Sequence, residues 1–107
     1  MICNSYEIFF KIMADKSKLE VLNLLSKGPK NVSELSKKLG FEQSRVSHTL
    51  RVLKDRHFVA VTQKGKERIY SLDQEIMVPL LRLIDKHVDR YYKHYCKCKG
   101  IPWRQKT

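Results

Sequence analysis

Nothing in this sequence builds a disulfide framework. Its three cysteines, Cys3, Cys96 and Cys98, are an odd set, and the last two stand only one residue apart. Free thiols of that kind suit a reducing cytoplasm. No apolar run approaches the roughly 20 residues that a membrane-spanning helix needs. The N-terminal run Ile8 to Met13 is broken by Lys11 and has no small-residue cleavage site, so no signal peptide is expected. There is no glycine-rich loop to cradle a phosphate. Ser44 and His48 share a helix face at i, i+4, yet neither an orienting carboxylate nor an oxyanion loop accompanies them, so no enzyme is expected.

Acidic residues are also scarce. Against 22 Lys and Arg stand only 11 Asp and Glu, a formal net charge of +11. That balance favours a polyanionic partner, nucleic acid before membrane. The excess is spread evenly along the chain, so it does not locate the contact. At 107 residues the chain is one domain, with material for a modest core but not for a roomy cleft as well.

What is present organises itself around positions 31–56. Asn31 with Glu34 three residues later has the spacing of a capping box. Gly40 supplies the left-handed residue that ends a helix, with Phe41 behind it. In the following segment Val46, Leu50 and Leu53 recur at i, i+4 and i+7, one apolar stripe. The opposite face carries Ser44, Arg45, Ser47, His48, Arg51 and Lys54, with Gln43 at its start. Short polar and cationic side chains on a helix anchored from behind suit a major groove. The pair reads as a helix-turn-helix; the plainer alternative is a helical hairpin with a solvated face.

Two helices precede it. Asn4 with Glu7 repeats the capping spacing and opens a helix over 5–14, striped by Ile8, Phe9, Ile12 and Met13, with Tyr6 and Phe10 beside it. Asp15 caps a second over 16–27, with Leu19, Leu22 and Leu25 inward, stopped by Gly28-Pro29. Two strands follow, Phe58 to Gln63 and Glu67 to Leu72, joined by Lys64-Gly65-Lys66. A hairpin with a cationic tip directly behind a helix-turn-helix is a wing, and Lys64, Lys66 and Arg68 would meet high negative potential along DNA.

After the strands Asp73 caps a turn, and Pro79 fits the first turn of a last helix. Leu80, Leu81, Leu83, Ile84, Val88, Tyr91, Tyr92 and Tyr95 cover close to half its circumference at about 100° per residue. That is wider than packing on a small domain requires, so the first and last helices are expected to form a dimer surface. Gly100 and Pro102 end the helix. His87, His94 and Cys98 fall within about 40° of one another at the edge of the apolar face, and imidazole with thiolate suits zinc and its neighbours. The competing account places these histidines at a dimer edge and the cysteines on a helix end.

Taken together, Ala14-Asp15…Leu19, Val32-Ser-Glu-Leu35…Leu39-Gly40, Gln43-Ser-Arg-Val-Ser47…Leu50…Leu53, Phe58-Val59 and Gly65-Lys66…Tyr70…Leu72 resemble the ArsR/SmtB family of winged-helix repressors. The resemblance implies a homodimeric prokaryotic repressor, in many members released from DNA by a metal or other inducer. It departs from the family at Lys16, where Pro is usual, and at His57-Phe58, where Gly-Leu is usual, so His57 must take a helix-ending position that favours glycine. No cysteine lies between Asn31 and Leu39, which removes the arsenic-repressor type of site there. The family's interhelical sensors imply Asp85 and His87 as one ligand pair, with Cys98 where a histidine is usual. Ile101, where an acid is expected, breaks that match.

The resulting expectation is a mainly α winged helix-turn-helix of order α-α-α-α-β-β-α, dimerising through its first and last helices. Residues 1–99 form the DNA-binding and dimerisation domain and 100–107 a basic tail. The function expected is a cytoplasmic, sequence-specific, double-stranded DNA-binding regulator acting as a dimeric repressor. The DNA contacts are Gln43, Ser44, Arg45, Ser47, His48, Arg51, Lys54, Lys64, Lys66 and Arg68. No cofactor is required; zinc or another transition metal, held by Asp85, His87, His94 and Cys98, is the inducer candidate. The alternative is a winged-helix protein-interaction module without specific DNA binding, which the dispersed charge and the acid Glu42 beside the recognition helix leave open.

Overall fold

The computed structural model describes residues 4–91. Five helices and one hairpin follow in order: α1 (Asn4–Ala14), α2 (Lys16–Ser26), α3 (Val32–Leu39), α4 (Gln43–Asp55), β1 (Val59–Lys64), β2 (Glu67–Leu72) and α5 (Met77–Tyr91). Asn4 is the first residue of α1 rather than its cap, within the usual latitude of helix ends. The core gathers one face of every element. Ile12, Val21, Leu22, Leu25, Leu35, Val46, Leu50, Leu53, Phe58, Val59, Tyr70, Leu72, Met77 and Leu81 are buried together. Leu19, expected inward with Leu22 and Leu25, is only half-buried, and Val21 takes the place beside them.

Local chemistry sets most boundaries. The Asp15 carboxylate accepts from the Lys18 backbone N–H at 3.0 Å and starts α2. Lys18 also lies 3.5 Å from that carboxylate, which offsets its unfavourable charge in a first turn. At α3 the capping box is complete: Asn31 Oδ1 accepts from Glu34 N at 2.8 Å, and Asn31 N donates to Glu34 Oε1 at 3.0 Å. Gly40 closes the helix at φ 72, its N–H bonded to Ser36 O.

The end of α4 shows how a helix terminates without glycine. Phe58 N donates to Leu53 O at 2.9 Å and His57 N to Lys54 O at 3.0 Å, the paired bonds of a Schellman motif, with His57 in the left-handed position at φ 64. A β-carbon there costs about 1–2 kcal/mol. The burial of Leu53 and Phe58 at the two ends of that bond offsets it. Because the Phe58 N–H is used in this way, β1 begins at Val59 rather than at Phe58.

The hairpin is antiparallel, from Val59↔Leu72 at its base to Lys64↔Glu67 at its tip. Lys64 is thus a strand residue and the turn is Gly65-Lys66. Gly65 has φ 64 while Lys66 is not left-handed, as expected of a turn with glycine first. Burial falls from base to tip, so the end of the hairpin stands clear of the core. The sequence did not foretell how the base is held. Lys30 exchanges both backbone hydrogen bonds with Tyr70, at 3.0 and 2.9 Å, and ties the loop before α3 to β2. The Asn31 side-chain amide also donates to the Glu67 carboxylate.

Asp73 Oδ2 accepts from Ile76 N at 3.0 Å and Met77 N at 3.1 Å and closes the turn that leads into α5. Pro79 falls in its first turn, where no backbone donor is required.

Candidate nucleic-acid interface

The recognition surface begins with burial. Val46, Leu50 and Leu53 are 0% exposed, so the back of α4 is seated on the domain and its front is fixed in direction. Gln43, Ser44, Arg45, Ser47, His48, Arg51 and Lys54 are all exposed on that front, as the spacing predicts. Thr49 is buried beside the stripe. The capped α3 precedes α4 at the turn Gly40–Glu42, and the pair is a helix-turn-helix.

Within the exposed set the side chains divide. Gln43 Nε2 donates to Ser33 Oγ at 3.3 Å. Arg45 Nη2 donates to Ser17 Oγ at 2.7 Å, and its guanidinium lies over the Phe41 ring, 3.6 Å from the centroid. Ser44, Ser47, His48 and Arg51 carry no side-chain hydrogen bond or ion pair among the described residues. Hydroxyl, imidazole and guanidinium groups without internal partners can donate to and accept from base edges.

The wing contributes cations. Lys64, Lys66 and Arg68 are exposed, and Gln63 Nε2 braces the tip by donating to Gly65 O at 2.9 Å. The acid at the tip, Glu67, is engaged by Asn31. Glu42, the N-cap of α4, makes no side-chain capping bond.

The metal candidates are only partly in view. Asp85 is half-buried on α5, and its Oδ1 has no hydrogen-bond partner among the described residues. His87 is exposed, its ring 4.8 Å from that of Tyr91. His94 and Cys98, like Cys3, Cys96 and the tail 100–107, lie outside the described residues. Among the described residues no three ligating side chains cluster.

A third surface is apolar. Tyr6, Ile8 and Phe10 on α1, Ile76 in the turn before α5, and Leu83 and Tyr91 on α5 are the large hydrophobics left exposed among the described residues, at 39–64%. A groove of about 410 Å³ lined by Tyr6, Phe9, Phe10 and Leu80 runs between the two helices. No described helix is long and apolar enough to cross a membrane.

Helices packed on one core, with a capped helix-turn-helix and a cationic wing, define a winged helix-turn-helix DNA-binding domain. The family model described as bacterial regulatory protein, arsR family, matches residues 15–61. The chain is 39% identical over 69 residues to the HTH-type transcriptional regulator NmtR of Mycobacterium tuberculosis, which covers 64% of this chain and 58% of NmtR. It is 31% identical over 81 residues to the arsenical resistance operon repressor of Bacillus subtilis, covering 75% of this chain and 77% of that protein. The homodimeric winged helix-turn-helix domain of Mb0332 from Mycobacterium bovis superposes with a TM-score of 0.78 at 23% identity, over 86% of this chain and 85% of that one. The chain belongs to the ArsR family of bacterial transcriptional regulators. It is a DNA-binding regulator and not an enzyme, and the family favours this reading over a protein-interaction module.

Proposed function

We propose that the chain is a homodimeric repressor that lays α4 in the major groove of its operator. The exposed face of α4 carries this reading. Ser44, Ser47, His48 and Arg51 have no side-chain partner among the described residues and stand over a fully buried stripe, and Lys54, Lys64, Lys66 and Arg68 are exposed cations suited to phosphates. Two protomers join through the apolar surfaces of α1 and α5 and present two such faces to two half-sites. The homodimeric state of the Mb0332 domain and the repressor named in Bacillus subtilis support the same assembly and sign of control.

Replacement tests the assignment of roles. Arg51→Ala should weaken binding to the preferred duplex by about 1–3 kcal/mol and relax preference at one base pair per half-site. Lys64→Ala with Lys66→Ala should instead weaken preferred and random duplexes alike. Fluorescence anisotropy against both duplexes reads the difference. Wing changes that leave binding untouched would reduce the hairpin to a surface feature.

A metal-responsive version of this function is favoured by one observation, the orphaned Oδ1 of Asp85. A carboxylate oxygen with no donor among the described residues suits a cation. Asp85 and His87 supply oxygen and nitrogen ligands of the kind zinc accepts, and His94 and Cys98 complete the donor set read from sequence. A bound divalent ion would add concentrated positive charge on α5. Zinc uptake should be lost in an Asp85→Ala, His87→Ala variant, and zinc should lower the DNA affinity of the wild type but not of the variant. Equal uptake by both proteins removes these residues from the site.

A further inference from the structure

On the recognition helix, Arg45 stands apart from its neighbours in two ways. At about 100° per residue, Ser44, Ser47, His48 and Arg51 fall within an arc of about 100°, and Arg45 lies about 60° outside its edge. Its side chain is also already committed. The guanidinium stacks on Phe41 with 3.6 Å to the ring centroid and donates to Ser17 Oγ at 2.7 Å. Phe41 belongs to the turn that separates α3 from α4, and Ser17 to the first turn of α2. One side chain therefore joins three elements.

The start of α4 has need of such a fixture. Its N-cap, Glu42, makes no side-chain hydrogen bond, whereas the starts of α2 and α3 are both held by their caps. The planar guanidinium can stack on a ring and donate in its own plane at once, which the compact ammonium of lysine cannot.

We infer that Arg45 is a positioning residue for DNA recognition, clamping α2 and the Phe41 turn to the first turn of α4 so that Ser44, Ser47, His48 and Arg51 meet the base edges in register. This rests on the DNA-reading function proposed above. Base-edge hydrogen bonds tolerate little misplacement, while phosphate contacts carry no sequence information and are more forgiving. The clamp thus supports selectivity rather than raw affinity.

The test uses the full chain, the duplex it selects from a randomised pool, and a random duplex, with binding followed by fluorescence anisotropy over a range of salt. Arg45→Ala and Ser17→Ala should each weaken the selected duplex by about tenfold, the equivalent of about 1.4 kcal/mol. The double variant should be no worse than Arg45→Ala, since both changes remove one interaction. Random-duplex affinity and the salt slope of Ser17→Ala should stay at wild-type values, and preference should relax across the half-site. Arg45→Lys, which keeps the charge, should not restore selectivity.

A slope reduced by about 0.9 per protomer in Arg45→Ala, with Ser17→Ala neutral, would make Arg45 a phosphate contact and overturn the clamp. Preference lost at a single base pair, again with Ser17→Ala neutral, would make it a base reader and overturn it equally. Should Arg45→Ala fail to fold, Ser17→Ala removes only one half-buried hydroxyl and still decides. A wild-type chain that selects no duplex removes the parent function instead.

Discussion

Affinity for duplex DNA should fall by about 10³–10⁵-fold between roughly 50 and 200 mM salt. Lys54, Lys64, Lys66 and Arg68 are exposed on the α4 and wing surfaces. If each meets one phosphate, a dimer makes about eight contacts. Each neutralised phosphate adds about 0.9 to the log–log slope, giving a slope near −7, and a fourfold rise in salt then costs about four decades. Glu67, bound by the neutral Asn31 amide, and Glu42 at the helix start keep their negative charge, but the four exposed cations outnumber these two acids, so they moderate the effect without cancelling it. Isothermal or anisotropy titrations at several salt concentrations read the slope directly. A slope near zero would mean that the net charge of +11 keeps the chain soluble and does not grip DNA.

The parts of this interface that sequence disclosed are those governed by local rules. Asn31 with Glu34 and Gly40 mark the bounds of α3 because a cap and a left-handed residue act within one turn of chain. Val46, Leu50 and Leu53 reveal the orientation of α4 because a helix repeats every 3.6 residues. The left-handed His57 was legible only through the family resemblance, which puts glycine at that helix-ending position. Contacts between remote segments left no such trace. The Lys30–Tyr70 bridge, the Asn31–Glu67 tie and the Arg45–Ser17 clamp each join positions at least 28 residues apart. Periodicity tells which face of a helix is polar; it does not tell which neighbour that face meets. Arg45 consequently reads in the sequence as one more DNA contact, and its bond to Ser17 and its stacking on Phe41 are what distinguish it from Arg51 in the structure. The last helix is legible in the opposite sense, since an apolar face too wide for one domain points to an absent neighbour rather than to a present one.

That neighbour is the subject of the other large effect. A Phe10→Glu, Leu83→Glu variant should be a folded monomer whose affinity for its operator is about 10²–10⁴-fold below that of the wild type. Phe10 is 62% and Leu83 64% exposed, so neither supports the core of its own protomer, and the urea unfolding slope should remain that of a folded domain. Burying such side chains is worth about 1.5–3 kcal/mol each, and a two-fold interface counts every change twice. Replacing apolar contact by facing carboxylates therefore removes the attraction and adds repulsion between unpaired charges. The consequence for DNA follows from linkage. In the dimer, seating one α4 places the other beside its half-site at an effective concentration near the millimolar range, and that advantage vanishes for separate monomers. The log–log salt slope should fall to about half, because each binding event then neutralises one protomer's share of phosphates. Sedimentation velocity establishes the mass, and anisotropy titration the affinity and slope. A variant that stays dimeric would move the interface away from α1 and α5. A monomer that binds with undiminished affinity and slope would leave the interface in place but show that one winged helix is the whole DNA-reading unit.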